Sequence, residues 1–179
     1  MGGDKRTIGH LQKGFSLFLK LILETGEVNL VEKYFEDLFD GERLCCDTIE
    51  MTKERIISFA REFDPQPFHI SEKLAEASMF KGLIASSLHT LSACTRVVVN
   101  ALEDVEILSG VGMEAVKMKN PVRPGDILQV DAWWTSLNSS ETRPGYGFGT
   151  VKCQVVNQKN ELVIEYGYQY IIRSVSTKK

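Results

Sequence analysis

The chain has 179 residues, 43% apolar and 25% charged, with a formal net charge of -3. That length suits one domain with a real core and is short for two, and the composition excludes a disordered chain. With no block of like charge, the sequence offers no basic face for a nucleic acid.

Residues 1–33 read as an N-terminal arm. Within it, Gly14 to Glu24 carries Phe15, Leu17, Phe18, Leu19, Leu21, Ile22 and Leu23. The run is too short to span a bilayer and Lys20 interrupts it, so no transmembrane segment is expected. It also lacks the small-residue cleavage site of a signal peptide. A helix that packs on the domain or on a partner subunit is the expectation. Residues 34–179 then read as one continuous domain.

Glu42 to Glu50 reads as a strand, which would turn the adjacent Cys45 and Cys46 to opposite faces. Together with Cys94 and Cys153 they form no CxxC pair and no zinc spacing. No metal site is therefore expected, and the thiols read as reduced in a cytoplasmic protein. Thr52 is placed to cap a helix whose Ile56, Phe59, Ala60 and Phe63 form one buried face. Asp64-Pro65-Gln66-Pro67 stops that helix, and its two prolines predict a rigid, extended segment. Ser71 starts a short helix that ends near Gly82.

From Leu83 to about Leu102 almost no polar face remains, which predicts a long helix buried nearly all round. Strands follow. Val111 to Lys119 is one. After the turn-rich Asn120 to Asp126, Ile127 to Leu137 alternates, with Leu128, Val130, Ala132 and Trp134 on one face. Gly149, Val151, Cys153 and Val155 alternate again, Asn157 to Asn160 makes a hairpin turn, and Leu162 to Ile172 forms the last strand. An antiparallel sheet curled round one apolar helix buries all these faces, giving an α+β domain. Its open edges predict dimerisation.

Chemistry concentrates in Phe63-Asp64-Pro65-Gln66-Pro67-Phe68-His69 and in the serines at the start of the apolar helix. Asp64 can take a proton from water, and His69 can give or accept one near neutral pH. The free N–H groups of a helix N-terminus can hold a developing negative charge. These are the parts needed to add water to an alkene conjugated to a carbonyl. Each residue also has a plainer reading, Asp64 as a helix-ending residue and His69 as a core histidine.

Asp64-Pro65-Gln66-Pro67-Phe68-His69 resembles the Asp-x-Asn-Pro-x-His motif of the MaoC-like dehydratases and (R)-specific enoyl-CoA hydratases. Gly82 to Thr90 resembles the start of that family's central helix, and Pro121-Val122-Arg123-Pro124-Gly125-Asp126 its Pro-Val-x-x-Gly-Asp turn. The similarity spans about Tyr34 to Ile172. It implies a hotdog fold, with an antiparallel sheet wrapped round a long central helix. It further implies a hydratase/dehydratase that acts on a 2-enoyl or 3-hydroxyacyl thioester of coenzyme A or a carrier protein, without a cofactor beyond the substrate's own coenzyme A. Asp64 and His69 match the catalytic pair, and the backbone N–H of Ser87 the oxyanion donor. Gln66 and Ser86 take supporting places, and Phe68 and Ala85 lie where substrate would bind. A homodimer, or an assembly of dimers, is implied as well. Two positions depart from the pattern: Gln66 replaces an asparagine, and Ser87 a glycine. His89, one turn into the helix, reads as core. A non-catalytic acyl-thioester-binding protein is the alternative. A thioesterase is disfavoured because this fold's thioesterases usually carry an acid on the central helix, and Ile84 to Asn100 contains no Asp or Glu.

Overall fold

Five antiparallel strands and four helices make up the computed structural model, which describes residues 33–175. The helix expected over Gly14–Glu24 lies outside the described residues. After a 3-10 turn at Phe35–Asp37 come β1 (Thr48–Met51), α1 (Lys53–Phe63), α2 (Pro67–Ile70), α3 (Glu72–Glu76) and α4 (Ser87–Ala101). The chain ends in four long strands, β2 (Ile107–Met118), β3 (Asp126–Ser139), β4 (Tyr146–Val156) and β5 (Leu162–Arg173).

The sheet order is β1-β3-β4-β5-β2, and every pairing is antiparallel. The alternation of β3 fixes its register: Leu128, Val130, Ala132 and Trp134 are buried, and the residues between them face outward. Val151, Cys153 and Val155 of β4 and Ile164, Tyr166, Tyr170 and Ile172 of β5 share one core with Cys94, Val97 and Val98 of α4. The architecture is the hotdog fold, α+β, with α4 as its central helix. Gly125, at φ 85, turns the chain into β3 and donates its N–H to Met51 O at 2.9 Å, which fastens that turn to β1.

The described elements differ from the sequence expectations in several places, among them the short helix begun at Ser71, which ends at Glu76 and not near Gly82. The strand expected over Glu42–Glu50 is only Thr48–Met51, preceded by an isolated bridge between Arg43 and Trp133. Cys45 and Cys46 therefore lie outside any strand, Cys45 exposed and Cys46 half-buried. The double-proline segment is extended only as far as Gln66. Pro67 is the first residue of α2, where its missing N–H costs nothing. The long helix begins at Ser87 rather than Leu83. Leu83 to Ser86 are buried but not helical, because neighbouring segments claim their backbone groups. Nor is α4 buried all round: Leu88 and Val99 are about half exposed, at 53% and 51%, as is Phe63 of α1 at 58%.

Candidate active site

Helix α1 is capped at its start by Thr52, whose hydroxyl accepts the Arg55 N–H, and ends at Asp64. The Asp64 N–H still bonds to Ala60 O at 2.9 Å, while its carbonyl accepts the Gln66 N–H at 2.7 Å in a tight turn. Pro67 opens the single turn of α2, which carries Phe68 and the buried His69. Five residues separate acid from imidazole in sequence, and the turn folds them back onto each other.

The next partner is a backbone group. Ile84 donates its N–H to Phe68 O at 3.3 Å, and its carbonyl lies 2.8 Å from His69 Nδ1. A carbonyl only accepts, so Nδ1 carries the proton. That leaves Nε2 directed at Asp64 Oδ2, 3.5 Å away. A proton or a water held between these two atoms completes the pair.

Asp64 is held from two sides. Gln66 Nε2 donates to Oδ1 at 2.9 Å, and Ser86 Oγ donates to Oδ2 at 2.6 Å. The Ser86 and Gln66 hydrogen bonds hold its carboxyl below the usual carboxylate value, aided by the charge of His69 and opposed by partial burial. Asp64 is therefore ionised at neutral pH. Ser86 is also the N-cap of α4, accepting the Leu88 N–H at 3.1 Å. Ser87 follows as the first residue of α4. Its N–H has no intrahelical acceptor, and no other described residue supplies one. The Ala85 N–H, by contrast, is taken by Val122 O at 2.8 Å. Ala85 can contact a ligand through its side chain or carbonyl but not through its N–H.

Asp64, Gln66, Phe68, His69, Ala85 and Ser87 all line one cleft of about 350 Å³. The Phe68 ring packs against His69, with centroids 4.5 Å apart, and against Phe80 at 5.1 Å. Ser86 stands behind Asp64, fully buried. Phe80, Ile84, Thr90 and the Met118–Val122 segment complete the lining; Thr90 and Pro121-Val122 lie within the motifs that carry the family resemblance, but none of these residues was expected at the site. The Ile84 carbonyl was equally invisible there, since any residue type could supply it. His89 belongs to the core: it is 6% exposed and stacks on Phe59 at 4.7 Å with ring planes 9° apart. Burial, with the charge of Arg55, pushes its imidazole down to about 4. Among the described residues no cluster of His, Cys, Asp and Glu could hold a metal ion.

A family model described as MaoC like domain matches residues 36–156. An uncharacterized protein of Bacillus subtilis (strain 168), YdeM, is 30% identical over 138 residues, 74% of this chain and 94% of that one. The solved MaoC-like dehydratase from Rhodospirillum rubrum aligns with a TM-score of 0.73 at 32% identity, covering 81% of this chain and 99% of that chain. R-Hydratase PhaJ1 from Pseudomonas aeruginosa aligns with a TM-score of 0.63 at 19% identity, covering 82% and 92%, a likeness of fold alone.

Proposed function

The chain belongs to the MaoC-like domain family, and from that membership and its own site geometry we propose that it is a hydratase/dehydratase acting on a 2-enoyl or 3-hydroxyacyl thioester. The observation that carries this reading is the meeting of ionised Asp64 and His69 Nε2, 3.5 Å apart, in a cleft that also opens onto the start of α4. The name of the Rhodospirillum rubrum relative, a MaoC-like dehydratase, supports it.

In the hydration direction Asp64 takes a proton from water as the water oxygen bonds to C3 of the enoyl group. The C2–C3 π electrons move toward the thioester oxygen, which receives the Ser87 N–H. Asp64 passes the water proton to His69 Nε2 across the 3.5 Å gap, and the resulting Nε2–H gives it to C2 as the thioester carbonyl re-forms. The sum is H and OH added across one double bond, with acid and base restored. Dehydration runs the same steps backward. Gln66 and Ser86 keep the carboxylate aimed, while Phe68 and Ala85 bound the acyl group. No cofactor beyond the substrate's own carrier is required.

The assembly we propose is a homodimer, alone or within larger assemblies. Among the described residues strand β2 pairs only with β5, and that edge together with exposed Val111, Met113 and Val116 and the open face of α4 supplies a surface for a second copy. No helix of the described residues is long and apolar enough to cross a membrane. A cytoplasmic protein with residues 34–179 as its catalytic domain is the accompanying proposal. Sedimentation of a dilute sample at the mass of one chain would overturn the dimer.

The test of the activity is the ultraviolet absorbance of crotonyl-CoA mixed with the protein. Loss of the conjugated enoyl band without release of free thiol is the expected result. Thiol release would make the chain a thioesterase, and an unchanged spectrum across short, medium and long enoyl chains would leave a binding role.

A further inference from the structure

Residues 77–82, between α3 and the buried stretch that leads into α4, bring Phe80 to the cleft. The hydrogen bonds of this loop turn back on itself and on α3. The Ser78 N–H and hydroxyl both go to Ala75 O, at 3.0 and 2.6 Å. The Phe80 N–H goes to Ser78 Oγ at 3.1 Å, the Lys81 N–H to Ser78 O at 3.3 Å and the Gly82 N–H to Ala75 O at 3.2 Å. Among the described residues, one hydrogen bond alone ties the loop to another part of the fold: Arg123 Nη2 donates to Phe80 O at 2.8 Å.

Arg123 can hold the loop because its own backbone is clamped. Asp126 Oδ2 accepts its N–H at 2.7 Å, and the Asp126 N–H returns to its carbonyl at 3.1 Å. Beside it, Val122 O takes the Ala85 N–H and the Gly125 N–H is fastened to Met51 O. The guanidinium reaches the loop through space that residue 82 leaves free. A Cβ on Gly82 would stand 3.0 Å from Arg123 Nη1, and the φ of +145 there is one that side-chain-bearing residues rarely adopt. Arg123 is not part of the cleft lining, so it acts on the cleft through Phe80.

The Phe80 and Phe68 rings pack with centroids 5.1 Å apart and planes tilted by 55°, and together they form one apolar wall. The two rings are not held equally. Phe68 lies on α2, where its carbonyl accepts the Ile84 N–H at 3.3 Å and the adjoining His69 is bonded to Ile84 O. Phe80 lies on a loop with a single outside tie. A straight acyl chain can lie along such a wall. A methyl branch pushes a ring outward, and Phe80 is the ring that gives.

We propose that Arg123 is a positioning residue for acyl selection: by holding the Phe80 carbonyl it keeps the Phe68–Phe80 wall closed against branched acyl groups, which makes straight-chain 2-enoyl thioesters the preferred substrates. The proposal rests on the thioester reading of the cleft.

The experiment compares the unaltered full chain with Arg123→Met and Arg123→Lys on two isomeric substrates, the 2-hexenoyl and 4-methyl-2-pentenoyl thioesters of N-acetylcysteamine. Neither carries a phosphate, so the carrier plays no part. A charge-assisted hydrogen bond is worth a factor of about ten or more. The unaltered protein should favour the straight chain in kcat/KM, and Arg123→Met should narrow that preference by about tenfold, through KM for the branched substrate. Arg123→Lys keeps a donor and should restore part of it. A preference for the branched chain, an unchanged preference in Arg123→Met, or an equal loss on both substrates overturns the proposal. Hydrogen–deuterium exchange reads the tie without turnover: the amides of residues 80–82 should exchange about tenfold faster in Arg123→Met, and equal rates overturn the proposal. If the unaltered protein hydrates neither thioester while exchange is faster in Arg123→Met, the hydratase reading falls and the hold of Arg123 on the Phe80 wall stands.

Discussion

Ser86 Oγ lies 2.6 Å from Asp64 Oδ2 and, with the same oxygen, accepts the Leu88 N–H at 3.1 Å. One hydroxyl thus fastens the proposed general base to the first turn of the central helix, where the proposed oxyanion donor sits. A change at this hydroxyl is therefore expected to disturb both the carboxylate and the helix start.

Asp64→Asn keeps the side-chain shape and removes the base, and His69→Ala removes the proton partner. Each is expected to lower hydration of an enoyl thioester roughly 100-fold or more. The double variant should be little worse than either single one, because residues acting as a unit are not additive. Steady-state kinetics on protein whose folding has been checked by circular dichroism decides the matter. Full activity in Asp64→Asn removes the mechanism.

Ser86→Ala carries two separable effects. Loss of the N-cap should cost about 1 kcal/mol in a denaturant melt. Loss of the largest influence depressing the Asp64 pKa should raise it. Because the ionised carboxylate is the active form, activity is present above that pKa and disappears as pH falls through it. The acidic limb of the kcat/KM profile should therefore move to higher pH in Ser86→Ala. A variant that loses stability while its acidic limb stays put shows that Ser86 serves the helix alone.

Ser87→Gly restores the residue usual in the family at this position and keeps the backbone N–H. Turnover is expected to stay the same or rise, since the side chain beside the oxyanion donor is the only thing removed. A tenfold fall in kcat on a folded variant would mean that the serine side chain itself takes part.

His89 makes stability depend on acidity. Its pKa drops from the ordinary 6.5 to about 4 in the folded chain, so between those values the unfolded chain binds a proton that the folded chain refuses. The stabilisation is fully present above about pH 6.5 and is lost progressively as pH falls toward 4. The shift amounts to roughly 3 kcal/mol at its limit. His89→Phe keeps a ring stacked against Phe59 and should flatten that part of the curve in urea melts across pH 4 to 7. An equally steep curve in the variant assigns the acid sensitivity to other groups.

Much of this molecule can be read from its sequence because side-chain periodicity dictates it. The alternation from Leu128 to Trp134 sets β3, and Thr52 and Ser71 both cap helices where expected. Asp64 and His69 were legible as a pair because acid, prolines and imidazole lie within one short motif. What stayed hidden depends on backbone groups, which carry no side-chain signal. Leu83 to Ser86 look helical by composition, yet Ile84 spends its N–H on Phe68 and Ala85 spends its own on Val122. Those bonds delay the helix to Ser87. Pro67 was equally ambiguous, since a proline that breaks one helix is also the best first residue of the next. The exposed Leu88 and Val99 show the remaining limit: apolar character predicts burial without saying which molecule provides it.

The loop between α3 and the central helix closes at its base, where the Gly82 N–H reaches Ala75 O at 3.2 Å. Beyond that closure, Ile84 is stitched to Phe68 and His69, so the length of the excursion from Glu76 to Lys81 has no bearing on where the imidazole points. Insertions or deletions at its tip would leave the acid–base pair in register. They would instead displace the Phe80 ring that lines the cleft and the Phe80 carbonyl that accepts from Arg123. Within one scaffold, the edge of the cleft can thus be re-edited through a few loop residues while the groups that hold the imidazole stay where they are.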